Sequence, residues 1–287
     1  MPLDPGQPNI ARYQGNQFPW HDGAVTPARG TPDAPGRRPA SGSPPGASVR
    51  LTGLVCRDAP AGSGDSRGRR PGVSLQMPPG QSVALYGRPG SDAIDVLDVV
   101  AGLRRPSAGR VVVDGLAVES LRGPELDRYR RERGLISTRF PLLPSLSVTD
   151  NLMAALPPRR ADATGRRRAA SLLEFAGAAQ AGPVRARTLS AEQQWRIMIA
   201  RALMPVPRLV LAEDPASGLE PASATKILDL LQQAHSRSGF TLLLATGRAS
   251  TASHCQRLIG LEGGTVAEDE LIPDDDGWTI GRIHRIG

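Results

Sequence analysis

From about residue 49 onward, short apolar runs alternate with longer amphipathic stretches. "SVRLTGLVC" alternates with period two and predicts a half-buried strand. The polar, Gly- and Arg-rich "DAPAGSGDSRGRRPG" predicts a long flexible loop, after which structure resumes at "VSLQM". "SVALYG" predicts a short apolar strand, "GRPGS" a turn, and "DAIDVLDVVAGL" a helix with Ile94, Leu97, Val100 and Ala101 on one side. "GRVVVDG" is a further strand, and "PELDRYRRERG" a charged helix followed by "LIST" and an irregular, Pro-containing loop. "GRRRAASLLEFAGAA" and "AEQQWRIMIARALM" predict amphipathic helices, the second ending before Pro205. "RLVLAED" and "FTLLLAT" read as buried strands around the helix "ASATKILDLLQQAHSRSG", and "CQRLIGLEGGTVAED" as a closing strand pair around Gly263 and Gly264. Nearly continuous apolar strands separated by helices imply an α/β fold whose sheet is covered on both faces.

The ends differ in texture. Residues 1–47 are rich in Pro, Gly, Ser, Arg and Asp without sustained periodicity, which predicts a disordered arm interrupted only by Trp20 and His21 in "QFPWHDG". The acidic "PDDDG" and the residues after it, within 271–287, predict a weakly ordered tail. The 32 Gly and 27 Pro fit such segments. Formal charge is +7 and is carried by Arg, Lys226 being the only lysine, a bias that GC-rich coding would produce. With aromatics at 3% and no basic stripe interleaved with them, a stacking nucleic-acid binder is not expected. Cys56 and Cys255 lack metal-ligand spacing and suit a reducing cytosol. No apolar run approaches the ~20 residues that span a bilayer.

Five segments carry the chemistry in a fixed order. They are "GRPGSDAID" with "AGL", "SAGRVVVDG", "RGLISTRFPLLPSLSVTDNL", "LSAEQQWRIMIARALMPVPRLVLAEDPASGLEP" and "TLLLATGR". In this order and spacing the chain resembles the nucleotide-binding domains of ATP-binding-cassette (ABC) transporters, most closely the branch serving lipoprotein-release and cell-division-type exporters. The resemblance implies a P-loop NTPase-like domain over about 48–270, with a mostly parallel core sheet, an antiparallel β subdomain and a helical subdomain near 150–195. It also implies ATP and Mg²⁺ as cofactors, and as partners a membrane permease or a second ABC ATPase subunit, including a second copy of this chain. The expected location is cytoplasmic, peripheral on the inner face of the cell membrane.

The family's chemical positions are altered. Its phosphate-binding loop, G-x-x-x-x-G-K-S/T, aims backbone N–H groups at phosphate, adds a Lys and places a hydroxyl on Mg²⁺. Here Gly87, Arg88, Gly90 and Ser91 keep the turn, whereas Asp92 replaces the last Gly, Ala93 the Lys and Ile94 the hydroxyl. Charge-assisted contacts contribute ~1.5–3 kcal/mol each, so weak or absent nucleotide binding is expected. Asp92 and Asp95 would in addition repel phosphate. After the buried strand the family's Asp-Glu pair stands in exchanged order, as Glu213 and Asp214. A general base must come within hydrogen-bond distance of its water, and the exchange shortens one side chain and lengthens the other.

The signature L-S-G-G-Q becomes Leu189, Ser190, Ala191, Glu192 and Gln193, with an anion at Glu192 where phosphate would bind; Ser190 and Gln193 still form a capping-box pattern. The family's γ-phosphate glutamine corresponds to Thr138, its switch histidine to Gly247, and the Asp of its dimer loop to Glu220. No aromatic stands near "VCRDAP" to stack on adenine. His235 and His254 read as solvated or lightly packed side chains. The loop with Phe140, Leu142, Leu143 and Pro144 lies where family members meet a permease's coupling helix. A retained scaffold beside altered chemistry gives the expectation of a pseudo-ATPase. The alternatives are an active ATPase in which Arg88 or Arg248 replaces the Lys, and a soluble regulator that binds an anionic partner through the arm.

Overall fold

A computed structural model describes residues 46–57, 72–87 and 91–272. The expectations for the arm, the Arg-rich loop, Arg88, Gly90 and the acidic tail lie outside these residues or largely so. The chain opens with β1 (Val49–Val55), β2 (Val73–Met77) and β3 (Ser82–Tyr86), then α1 (Ala93–Val100), β4 (Ala108–Val113) and β5 (Leu116–Ala117). Next come α2 (Gly123–Arg131), β6 (Gly134–Ile136), α3 (Val148–Met153), α4 (Ala163–Phe175) and α5 (Ala191–Leu203). The remainder is β7 (Leu209–Glu213), α6 (Pro221–Ser238), β8 (Thr241–Thr246), α7 (Ala249–Ala252), β9 (Arg257–Glu262) and β10 (Thr265–Leu271).

Two sheets form. One is four-stranded and antiparallel, in the order β2-β1-β4-β5; the other is six-stranded, β10-β9-β3-β8-β7-β6, parallel except for the β9–β10 hairpin. Side chains alternate across a strand, so the apolar runs of β7 and β8 feed two cores at once. Val210, Ala212, Leu242 and Leu244 pack with α3–α6, while Leu209, Leu211, Leu243 and Ala245 face α1 and the antiparallel sheet. The helices on the first side are tied at their ends: Arg168 of α4 donates to the Leu203 and Met204 carbonyls at the C-terminus of α5. Burial brings the Arg168 guanidinium down to about 10.

Three expectations need correction. The helix α1 is not one-sided: it lies between the two sheets, buried all round except at Ile94, which is 42% exposed rather than on the inner face. Within the Pro-containing loop, expected to be irregular, Ser147 accepts from the Asp150 N–H and starts α3. His235 is buried, not solvated; its Nε2 bonds the Gly80 carbonyl at 3.0 Å and its ring meets Phe240 edge-on. His254 is half-buried, with Nδ1 2.9 Å from the Ser250 carbonyl.

Candidate functional site

The parallel strands β3, β7 and β8 end side by side, so the residues just beyond them converge. Gly87 closes β3 against β8 through its N–H to the Thr246 carbonyl. A Cβ at Gly87 would collide with the Ser91 side chain, so a larger residue there would have to displace it. A Cβ at Gly247, an exposed position, would stand 3.3 Å from the Gly87 carbonyl oxygen. Ala93 is buried and Ile94 points outward, so the first turn of α1 presents neither cation nor hydroxyl at these two positions. Asp92 is the N-cap of α1 but makes no side-chain cap bond.

Two acids on α1 turn inward on its polar edge. Asp95 is held by Arg57 through contacts of 2.7 Å, with Arg104 at 3.5 Å. Thus Asp95, expected to repel phosphate, has cations as neighbours. Asp98 receives a bidentate pair from Arg139, at 2.9 and 2.6 Å. Parallel N–H···O bonds of this kind are among the strong charge-assisted contacts.

Arg139 reaches further. Its Nε donates to Glu213 Oε2 at 2.5 Å, and the same oxygen accepts from the Ser137 hydroxyl at 2.5 Å. The backbone N–H of Arg139 in turn donates to the Ser137 Oγ, so the loop after β6 is folded onto the end of β7. The bond to Asp98, and after it the bond to Glu213, holds the Arg139 guanidinium above its ordinary range despite the opposing effect of burial. Thr138, between these two residues, is exposed and carries none of the contacts.

Asp214 has its own cation. Its Oδ1 accepts from the Thr246 hydroxyl at 2.8 Å, and Arg248 donates to both carboxylate oxygens at 3.3 and 3.2 Å. Its φ of 38° lies in the left-handed region, where Asp is better tolerated than most residues. The adjacent acids of "LAEDP" therefore point to different partners, Glu213 to the loop after β6 and Asp214 to the loop after β8.

The signature-like segment forms the N-terminus of α5. Ser190 and Gln193 make the reciprocal capping box, so a pattern legible in the sequence is realised. Glu192 bonds the Ser223 hydroxyl of α6 at 2.7 Å and pairs with Arg196. The bond from Ser223, ahead of the Arg196 pair, holds its carboxyl below the usual glutamate range. Trp195 donates to the Ser217 carbonyl, and Glu220 is the N-cap of α6 without a side-chain bond. In the loop after β6, Leu142 is buried in the core rather than offered outward, whereas Phe140 and Leu143 are exposed.

Sequence reasoning singled out Glu213, Asp214 and Gly247 but missed Asp98, Ser137 and Arg139. One signal was available: two acids three residues apart, Asp95 and Asp98, in an otherwise apolar helix imply buried ion-pair partners.

Comparison with known proteins agrees with this arrangement. The family model described as "ABC transporter" matches residues 71–217. The phosphonates import ATP-binding protein PhnC of Rhizobium etli is 34% identical over 207 residues, 69% of this chain and 74% of that protein. The macrolide export ATP-binding/permease protein MacB of Rhodopseudomonas palustris is also 34% identical, over 79% of this chain but only 34% of that longer protein. Among solved structures, a dimeric ATP-binding cassette in a post-hydrolysis state with ADP and Pi superposes with a TM-score of 0.66 at 25% identity, over 79% of this chain and all of that one. Two sheets, flanking helices and ordered motifs thus agree with the relatives: the chain belongs to the ABC transporter family, as one of its ATP-binding cassettes.

Proposed function

We propose that this cassette no longer runs an ATPase cycle and acts by association, with a membrane permease and with a second cassette, on the cytoplasmic face of the membrane. The observation that carries this reading is Arg139, whose single guanidinium spans Asp98 and Glu213. The phosphates of ATP and a Mg²⁺ ion do not fit the residues present. Ala93 and Ile94 supply neither charge nor hydroxyl, and the carboxylates that would face a metal are already neutralised by Arg139 and Arg248.

The magnitudes point the same way. Freeing Glu213 means separating a partly exposed ion pair, about 2–3 kcal/mol once solvent screening is allowed for. That alone weakens binding roughly 30- to 150-fold. The missing Lys and hydroxyl contribute ~1.5–3 kcal/mol each in addition. Together these remove about 5–9 kcal/mol, enough to carry a micromolar ligand beyond the millimolar range. Arg248, a candidate substitute for the Lys, is engaged with Asp214, which weighs against the active-enzyme reading.

Under this reading residues 48–270 are the cassette, and its retained features are those that pack and meet neighbours: the capped α5, the α5–α6 contacts and the exposed Phe140 and Leu143. Phosphate release by the purified full chain with Mg-ATP tests it. Release should stay at background and be the same in Asp214→Ala and Glu213→Gln. Turnover well above background that these substitutions abolish would contradict it.

A further inference from the structure

One exposed surface around the start of α4 is dense in arginine. Between residues 158 and 170 the chain carries five arginines and one acid, Asp162. A single 3-10 turn, Pro158–Arg160, presents Arg159 and Arg160, and α4 follows at Ala163. Gly165 lets turn and helix meet, since a Cβ there would stand 2.5 Å from the Arg160 carbonyl oxygen. On α4 the exposed stripe is Ala163, Arg166, Arg167 and Ala170, at the i, i+3, i+4, i+7 spacing of one helix face. At 1.5 Å of rise per residue the stripe is about 10 Å long.

The fold makes little use of this charge. Of the five, Arg168 turns inward, to the carbonyls at the end of α5. Arg159, Arg160 and Arg166 are exposed and join no ion pair among the described residues. Arg167 donates one long bond, at 3.4 Å, to the Thr164 hydroxyl. Asp162 is engaged elsewhere: it is the N-cap of α4 and accepts from the Gly165 N–H, a bond that holds its carboxyl below the usual aspartate range. Cations near the N-terminus of a helix are disfavoured by its dipole, so the cluster does not stabilise α4.

We propose that this face binds the phosphate headgroups of an anionic lipid bilayer. Placing the cassette at a membrane rests on the reading above, whereas the chemistry of the face does not. Guanidinium groups suit phosphate because each offers several donors in one plane. Ala163 and Ala170 add no bulk beside Arg166 and Arg167, so the stripe can approach a flat layer of headgroups. The stripe has no aromatic side chain on which the bases of a single strand would stack. Nor does it carry a large apolar side chain that would select an amphipathic segment of a protein.

Co-sedimentation of the purified full chain with phosphatidylglycerol-rich vesicles, against vesicles of pure phosphatidylcholine, tests the proposal. The chain should bind the first and not the second, and more weakly as salt rises from low to physiological concentration. Each arginine near an anionic surface contributes about fivefold, so Arg166→Gln/Arg167→Gln should weaken binding roughly 25-fold. Its melting curve should be unchanged, because both side chains are exposed. Arg159→Gln/Arg160→Gln, on the neighbouring turn, should weaken binding to a similar extent. Arg37→Gln/Arg38→Gln removes the same charge near the N-terminus and should weaken it less. No binding, equal binding to both kinds of vesicle, or an equal loss in the Arg37/Arg38 variant overturns the proposal. So does binding of a single-stranded oligonucleotide or of polyglutamate that is lost in Arg166→Gln/Arg167→Gln while the vesicles stay unbound. Phosphate release from ATP is read on the same preparation. Turnover together with phosphatidylglycerol-selective binding overturns only the pseudo-ATPase reading, and silence towards ATP without that selectivity overturns only this one.

Discussion

Replacing Arg139 by Gln removes the guanidinium that, among the described residues, Asp98 and Glu213 share. The two carboxylate side chains are 7% and 12% exposed, so water cannot fully take over the lost contacts. Removing one partner from a fully buried pair costs about 3–5 kcal/mol. Arg139 itself is 41% exposed, and solvent screening lowers the expected loss to about 2–3 kcal/mol. For a domain of this size that is a fall in melting temperature of roughly 4–12 °C. Urea unfolding followed by far-UV circular dichroism should show a lower midpoint with an unchanged slope. The companion variant Asp98→Asn and the double variant complete a cycle. Because the groups touch, the double variant should lose at least ~1 kcal/mol less than the sum of the single losses. An Arg139→Gln protein within ~0.5 kcal/mol of the parent, or strictly additive losses, would refute the role assigned to this ion pair.

Ser190→Ala removes the acceptor for the Gln193 N–H and should cost about 1 kcal/mol of stability in the same unfolding assay. Tyr129→Phe deletes the buried bond to the Val100 carbonyl that ties α2 to α1 and should cost ~1–2 kcal/mol. Burial of His235 holds its pKa below the ordinary histidine value, so the unfolded chain binds more protons as pH falls. Its contribution to stability is therefore complete above the unfolded value and is lost as the solution is acidified from there towards the depressed folded value. Melting temperature should drop over that range, and less so in His235→Gln. Burial pushes the thiols of Cys56 and Cys255 up to about 12, so a thiol reagent at pH 8 should label both only after denaturation.

The strands were legible because apolar runs bounded by turn residues leave few alternatives, and the α5 start because its capping box is local. α1 departs from its one-sided expectation for a physical reason. Two acids among aliphatic residues resemble a solvated face, yet a helix held between two sheets buries both, and each acid finds an arginine. α3 escaped notice because six residues make less than two turns, too few for periodicity to register. Arg139 could not be found by spacing at all, since its acids stand 41 and 74 positions away and only the convergence of α1, β6 and β7 brings them together. The residues Ala93, Ile94, Glu213 and Asp214 can be read along the chain; the ion pairs that Arg139 and Arg248 make with Glu213 and Asp214 cannot.

The proposed engagement of Glu213 by Arg139 and of Asp214 by Arg248, in place of a Mg-nucleotide, is tested by equilibrium dialysis of labelled ATP with Mg²⁺ against the purified full chain. The expected result is no saturable binding below roughly millimolar concentration, in the parent and in Asp214→Ala alike. Saturable binding at micromolar ATP that Asp214→Ala weakens would contradict it.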